Sequence, residues 1–86
     1  MGRPVMPRVT IHGPTLGALM LKHEMSPAGL AMRAGVSAPF IRMLRAGQRK
    51  TTKAVTAQRI ADALGEPVRA FATPLPLGGA QTEESA

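Results

Sequence analysis

The chain has 86 residues, 44% of them apolar, and no cysteine; it is long enough for one domain, and a disulfide framework and a zinc site built from cysteines are both excluded. Residues 1–60 hold ten basic residues and one acidic residue, whereas residues 61–86 hold one and four, which gives a formal net charge of +6. This basic excess favours a polyanionic partner, and no stretch reaches the ~20 apolar residues of a membrane-spanning helix.

The first two predicted elements are an irregular arm and an amphipathic helix. Residues 1–8 carry two prolines and two arginines and are expected to form a flexible arm. Residues 9–11 are Val-Thr-Ile, which favours an extended conformation. Gly13-Pro14 is typical of a helix start, and apolar residues at helical spacing predict a helix over residues 14–24. His23 lies on the apolar stripe of this helix and is expected to be partly buried with a hydrogen-bond partner.

Two short helices follow, joined by a turn of three residues. Ser26 is a predicted N-cap followed by a proline, and the first helix is expected over residues 27–34. Ser37 is the next predicted N-cap, and the second helix is expected over residues 38–46. The Gly35-Val36-Ser37 turn between them is too short for antiparallel packing, so the two helices are expected to cross steeply as a helix-turn-helix.

The second of these helices has two different faces. Phe40, Ile41 and Leu44 lie on one side, which is expected to pack on the core. The opposite side carries two arginines among small or apolar residues and no acidic residue: Ala38, Pro39, Arg42, Met43, Arg45 and Ala46. This side is therefore predicted to be exposed and to face the polyanion.

One more helix is predicted after a polar, cationic loop. The loop covers residues 48–53, and the apolar spacing of residues 57–64 predicts a helix that ends at Gly65. A last turn is expected to bury Val68 and Phe71. Apart from the short extended segment at residues 9–11, all predicted secondary structure is helical, so the expected fold class is all-α.

The predicted domain organisation has three parts. A flexible N-terminal arm covers residues 1–8. A compact bundle of four to five helices, containing the helix-turn-helix, covers residues 9–72. Prolines, glycines and terminal acidic residues predict a disordered tail over residues 73–86.

A series of residue types at fixed spacing lies between Met25 and Arg49. Its members are Ser26, Leu30-Ala31, Ala34-Gly35-Val36-Ser37, Ile41, Leu44 and Gly47, and Ile60–Gly65 follows at the end of a further helix. With this series the chain resembles the Cro/C1-type (XRE) helix-turn-helix family of small bacterial and phage regulators. The resemblance implies that residues 27–34 are the first helix of the motif and that residues 38–46 are the recognition helix, which enters the major groove of DNA.

Three departures from the family pattern change the expected contacts. Pro27 stands where many members have a glutamine that reaches a phosphate. Arg45 stands where many have a glutamate paired with an arginine at the position of Met20. Ala38 and Pro39 replace long polar side chains that often read bases. The start of the recognition helix is therefore suited to a thymine methyl group rather than to a bidentate hydrogen bond.

The predicted DNA contacts fall into two groups. Base readout is assigned to Arg42, whose guanidinium matches the two acceptors of guanine, with Ala38, Pro39 and Met43 beside it. Phosphate contacts are assigned to Ser37 and to polar side chains at and after the end of the helix, namely Arg45, Gln48, Arg49, Lys50 and Lys53. Two alternatives stay open, a phosphate contact for Arg42 and a purely capping role for Ser37.

Neither a catalytic site nor a metal site is predicted. His12 and His23 are eleven residues apart, without another ligand at metal-binding spacing. The sequence has no Gly-rich phosphate loop and no nucleophile arrangement. We therefore expect no enzyme activity, no cofactor and no small-molecule effector.

The predicted function is sequence-specific binding of double-stranded DNA by a small transcriptional regulator of Cro-like or repressor-like type. Its expected location is the cytoplasm of a bacterial cell or phage-infected host, in association with the nucleoid. A weak homodimer on DNA is expected, with only the last turn (Val68 and Phe71) and the tail to offer a surface. Two alternatives stay open: an antitoxin-type or adaptor protein that binds a protein partner, and a DNA-bending recombination directionality factor.

Overall fold

A computed structural model of the chain describes residues 8–74, which form four α-helices, a 3-10 turn and three short strands. In chain order these are β1 (Arg8–Ile11), α1 (Gly13–Lys22), α2 (Pro27–Ala34), α3 (Ala38–Ala46), β2 (Thr51–Lys53), α4 (Ala54–Leu64), the 3-10 turn (Val68–Ala70) and β3 (Ala72–Pro74). The predicted helical majority is confirmed, and the bounds of α2 and α3 are those expected from the sequence.

The three strands form a small antiparallel sheet with β1 in the centre, in the order β2-β1-β3. The expectation of a purely all-α fold is therefore wrong. Val9 pairs with Thr52 on one side and with Pro74 on the other. Val9 and Ile11 are buried while Arg8 is exposed, which is the alternation of a strand with one face on the core. The apolar face of β1 thus packs on the core, and its two edges pair with β2 and β3.

The turn between α2 and α3 has the expected caps. Ser26 and Ser37 precede the two helices, and their hydroxyl oxygens accept hydrogen bonds from the backbone N–H groups of Gly29 and Phe40. Gly35 has a φ of 76°, a left-handed conformation that costs glycine little, and it ends α2 at the expected residue.

α1 ends two residues before the predicted end. Glu24 has a φ of 53°, and the Met25 N–H donates to the carbonyl of Met20, so the chain reverses after Lys22. At its other end α1 meets α3 at close range. A β-carbon on Gly13 would lie 2.6 Å from the carbonyl oxygen of Arg45 and 2.8 Å from that of Leu44. Only glycine fits this approach of the two backbones.

The core lies between the four helices and the buried face of the sheet. Its largest fully buried side chains are Leu16, Met20, Leu30, Ile41, Leu44, Ile60 and Phe71. Met25 packs partly against it, whereas Met32 is 83% exposed. Phe71 is fully buried and Val68 half-buried, so the expected burial of the last turn is confirmed for Phe71. This side chain is therefore not offered to a second copy, contrary to the expected dimer surface.

Arg8, Thr73 and Pro74 lie in strands. Arg8, which the sequence places in the N-terminal arm, is the first residue of β1. Thr73 and Pro74, which the sequence places in the tail, belong to β3. The remainder of the predicted arm (residues 1–7) and of the predicted tail (residues 75–86) lies outside the described residues.

Candidate nucleic-acid interface

The exposed face of α3 is held by apolar side chains on its other face. Ile41 and Leu44 are fully buried, and they fix the rotation of the helix about its axis. Phe40, expected to share this anchoring role, is only half-buried and lies at the edge of the core. The orientation of α3 therefore depends mainly on two aliphatic side chains and on the cap at Ser37.

The four residues predicted to read bases all lie on α3, but they are not equally accessible. Arg42 and Pro39 are exposed, whereas Ala38 and Met43 are half-buried. Ala38 packs partly against the core. Arg42 is thus the one long polar side chain of this group of four. The exposed ring of Pro39 lies about one helical turn before it.

Arg45 is exposed, and its aliphatic stem lies along α1. A β-carbon on Gly17 would lie 3.2 Å from Cγ and 3.4 Å from Cδ of Arg45. The absence of a side chain at Gly17 gives room to this stem. Arg45 therefore belongs to the α1–α3 contact as well as to the exposed face.

The loop between α3 and β2 presents the remaining predicted phosphate ligands. Gln48, Arg49 and Lys50 are exposed, and so is Lys53 at the end of β2. The N–H groups of Gln48 and Arg49 both donate to the carbonyl of Met43, which ties the loop to the last turn of α3. The Arg49 guanidinium lies 5.3 Å from the centre of the Phe40 ring, in a cation–π contact that orients it.

A basic hollow opens beside the N-terminal end of α3. It is lined by Arg8, Val36, Ser37, Phe40, Arg49, Thr52, Lys53 and Thr56. Three of these eight residues are cationic, three carry hydroxyl groups and none is acidic. The structure thus brings together Ser37, Arg49 and Lys53 of the predicted phosphate group, whereas Gln48, Lys50 and Arg45 do not line the hollow.

Three polar residues of the basic hollow are not among the contacts predicted from the sequence. Arg8 reaches it from β1, where its Nη2 donates to Thr51 Oγ1 at 3.1 Å. Thr52 reaches it from β2 and Thr56 from the first turn of α4. The alternation of Arg8 with Val9 was the available signal, because it places Arg8 on the face of β1 opposite to the core.

The described acidic residue with the most polar contacts is Glu66, far along the chain from α3. Its Oε2 lies 2.7 Å from His23 Nε2 and accepts from Lys22 Nζ at 3.0 Å. These hydrogen bonds lower the pKa of the Glu66 carboxyl, and the one with His23 has the larger effect. His23 is half-buried with a partner, as the sequence predicts, and this cluster joins the end of α1 to the segment after α4.

Residues 8–74, which the structure describes, show neither a metal cluster nor a membrane-spanning helix. They contain no group of three or more His, Cys, Asp or Glu side chains placed to hold a metal ion. None of their helices combines the length and the apolar character needed to cross a membrane. His12, the other histidine, is paired through Nε2 with Thr73 Oγ1 at 3.0 Å.

The chain is similar in structure to a solved bacterial protein. No protein-family model and no curated protein matches the chain. The crystal structure of the restriction-modification controller protein C.AhdI from Aeromonas hydrophila is similar to it, with 25% sequence identity and a TM-score of 0.65, over 69% of this chain and 88% of that chain. Together with the geometry of α2 and α3, this similarity confirms that the chain resembles the Cro/C1-type helix-turn-helix family.

Proposed function

We propose that the chain is a sequence-specific regulator that binds double-stranded DNA with α3 in the major groove. The observation that carries the proposal is the arrangement of α3: buried aliphatic side chains fix one face, and the other presents Arg42 beside a cationic loop. An α-helix fits the major groove of DNA, where its exposed face meets the base edges. The similarity to a restriction-modification controller protein supports a regulatory role.

Base readout depends on Arg42 in this proposal. A planar guanidinium donates two parallel hydrogen bonds to guanine O6 and N7. Pro39 and Ala38 are short and apolar, so they let α3 approach the groove and contact a thymine methyl group. Met43 adds a further apolar contact at the side.

Phosphate contacts come from the two sides of α3. Ser37 lies at its N-terminal end, where the helix dipole is positive, and Arg45 lies in its last turn. Gln48, Arg49, Lys50 and Lys53 continue this cationic surface after the helix. Such contacts fix the position of the protein on the duplex and supply affinity that falls with salt.

Regulation follows from occupancy of an operator that excludes or positions polymerase. We further propose that two copies bind as a weak homodimer over two half-sites, about one helical turn apart. Selection of bound duplexes from a random pool tests this, because a palindromic motif requires two-fold symmetric binding. A motif without symmetry contradicts the dimer but not DNA binding.

Two matched variants separate base reading from phosphate binding. Arg42→Ala is expected to lose about 1–3 kcal/mol of discrimination at one base pair of each half-site. Arg49→Ala is expected to lower the affinity for selected and random duplexes by the same factor, because a phosphate contact carries no sequence information. Both are measured by titration of labelled duplexes at fixed salt.

The outcomes distinguish the proposal from its competitors. An unchanged ratio of specific to random affinity in Arg42→Ala contradicts the base-reading role of Arg42. No binding to any duplex at low salt contradicts DNA binding and favours an adaptor or antitoxin-type protein with a protein partner. Binding that bends DNA strongly without a selected motif favours a recombination directionality factor.

A further inference from the structure

The basic hollow collects positive charge from three separate elements. Arg8 comes from β1, Arg49 from the loop after α3, and Lys53 from the end of β2. Like charges that line one hollow repel one another, and no acidic side chain lines the hollow to offset them. An anion placed among the three would remove this repulsion.

Two helix N-termini also meet at the basic hollow. α3 begins after Ser37, and α4 begins after Lys53, whose side chain does not cap the helix. Neither helix has an acidic residue in its first turn. The N–H groups at such ends carry partial positive charge and attract oxyanions.

Thr52 supplies an independent observation. Among residues 8–74 it is the one polar residue that is buried, with 5% of its surface exposed. It also lines the basic hollow. Its hydroxyl takes part in none of the side-chain hydrogen bonds among residues 8–74. Buried hydroxyl groups nearly always have a partner, so this one lacks a partner that a bound ligand would provide.

We propose that the basic hollow binds one phosphodiester group of double-stranded DNA and that Arg8 donates to it from β1. This inference rests on the proposed function and adds a contact from outside the helix-turn-helix. The site is preorganised: Thr51 holds the Arg8 guanidinium, and the Phe40 ring holds that of Arg49. Bound in this way, the phosphate fixes the sheet, and not only the helices, against the duplex.

Neutral methylphosphonate groups, introduced one at a time into the backbone of the selected duplex, test the contact. For the wild-type protein, one position near α3 is expected to weaken binding strongly. Arg8→Ala is expected to weaken binding to the unmodified duplex about five- to tenfold and to lower the salt slope by about 0.9. The same methylphosphonate should then have little further effect on this variant, because the contact is already lost.

Two control variants and one further test variant accompany Arg8→Ala. Arg69→Ala removes the same charge from the exposed 3-10 turn that follows the C-terminal end of α4, and it should keep the wild-type methylphosphonate profile. Arg8→Lys retains a cation and should keep most of the affinity. Thr52→Val preserves the shape of the buried side chain without its hydroxyl, and it should weaken binding at the same backbone position as Arg8→Ala.

The failure of this inference differs from the failure of the proposed function. If the wild type binds the duplex and Arg8→Ala has the same affinity, salt slope and methylphosphonate profile, the phosphate site is overturned and the DNA-binding function stands. If the wild type binds no duplex, both are overturned. Saturable binding of inorganic phosphate at constant ionic strength, without any methylphosphonate effect at this position, would assign the basic hollow to a small free anion and also overturn the DNA contact.

Discussion

Gly13→Ala is expected to destabilise the domain by forcing α1 away from α3. The added β-carbon would lie 2.6 Å from the Arg45 carbonyl oxygen, whereas ordinary contact begins at 3.4 Å, so the two backbones must separate by about 0.8 Å. Neither atom belongs to a flexible side chain. Overpacking of this kind costs about 1–3 kcal/mol, which lowers Tm by at least about 4 °C in a domain of this size. Thermal unfolding followed by far-ultraviolet circular dichroism measures it.

Gly17→Ala is the matched control on the same helix. Its β-carbon would lie 3.2 Å from Cγ of Arg45, a side-chain atom that can move by a few tenths of an ångström. Alanine is favoured over glycine in a helix by about 1 kcal/mol, so this variant should unfold at the wild-type temperature or above it.

The same pair of variants bears on the position of α3. The carbonyl of Leu44, which Gly13→Ala would also displace, accepts the N–H of Gly47 at the end of α3. Gly13→Ala should therefore weaken duplex binding even below its unfolding temperature, and it should do so more strongly than Gly17→Ala, which displaces only the stem of Arg45. Equal Tm values for Gly13→Ala and Gly17→Ala would refute the close approach of α1 and α3.

Three other predictions test the core, the salt dependence and the His23 cluster. Leu44→Ala opens a cavity under α3 and should cost about 2–5 kcal/mol by denaturant unfolding; unchanged stability would mean that the register of α3 is wrong. Lys50→Ala should weaken binding to all duplexes alike and flatten the plot of log K against log salt by about 0.9, and a sequence-dependent loss would contradict a phosphate contact. The pKa of Glu66 is lowered in the folded state, so its pairing stabilises the fold above the ordinary carboxyl pKa and is lost as the pH falls through the folded-state pKa. Glu66→Gln should therefore lower Tm at about pH 6, and this difference from the wild type should shrink as the pH is lowered below the ordinary carboxyl pKa.

The helices could be predicted from the sequence because their signals are local. Ser37 and Gly47 lie within a few residues of the ends of α3 that they define, and the stripe of Ile41 and Leu44 repeats at helical spacing. The same stripe gave the buried face, and with it the exposed side that carries Arg42. Local periodicity was sufficient here because α3 is amphipathic over its whole length.

The sheet could not be predicted in the same way, because its signals are distant. The extended conformation of residues 9–11 was expected, but its partners lie some 40 and 60 residues further along the chain. β2 and β3 have three residues each, too few to show an alternating pattern. The threonines of β2 are flanked by lysines and were assigned to a cationic loop.

The residues of the candidate site also differ in whether their signals are local in the sequence. The cations of α3 and of the following loop were found because they are close in sequence. Arg8 and Thr56 join Arg49 at the basic hollow only through tertiary packing, so the sequence could not place them there. The same holds for Arg45, whose contact with Gly17 joins two helices that are not adjacent in the chain.

The central position of β1 also sets an order for folding. α2 and α3 are neighbours in sequence, so their contact closes only a short loop and is expected to form early. β1 is the first of the described elements to leave the ribosome, yet Arg8 pairs with Lys53 and Ile11 with Ala72, so its backbone stays unpaired until both later strands have been synthesised. Its short length and the charge of Arg8 limit edge-to-edge association during this interval. The strand made first is thus the one completed last, and Arg8 reaches the basic hollow only when the rest of the domain is in place.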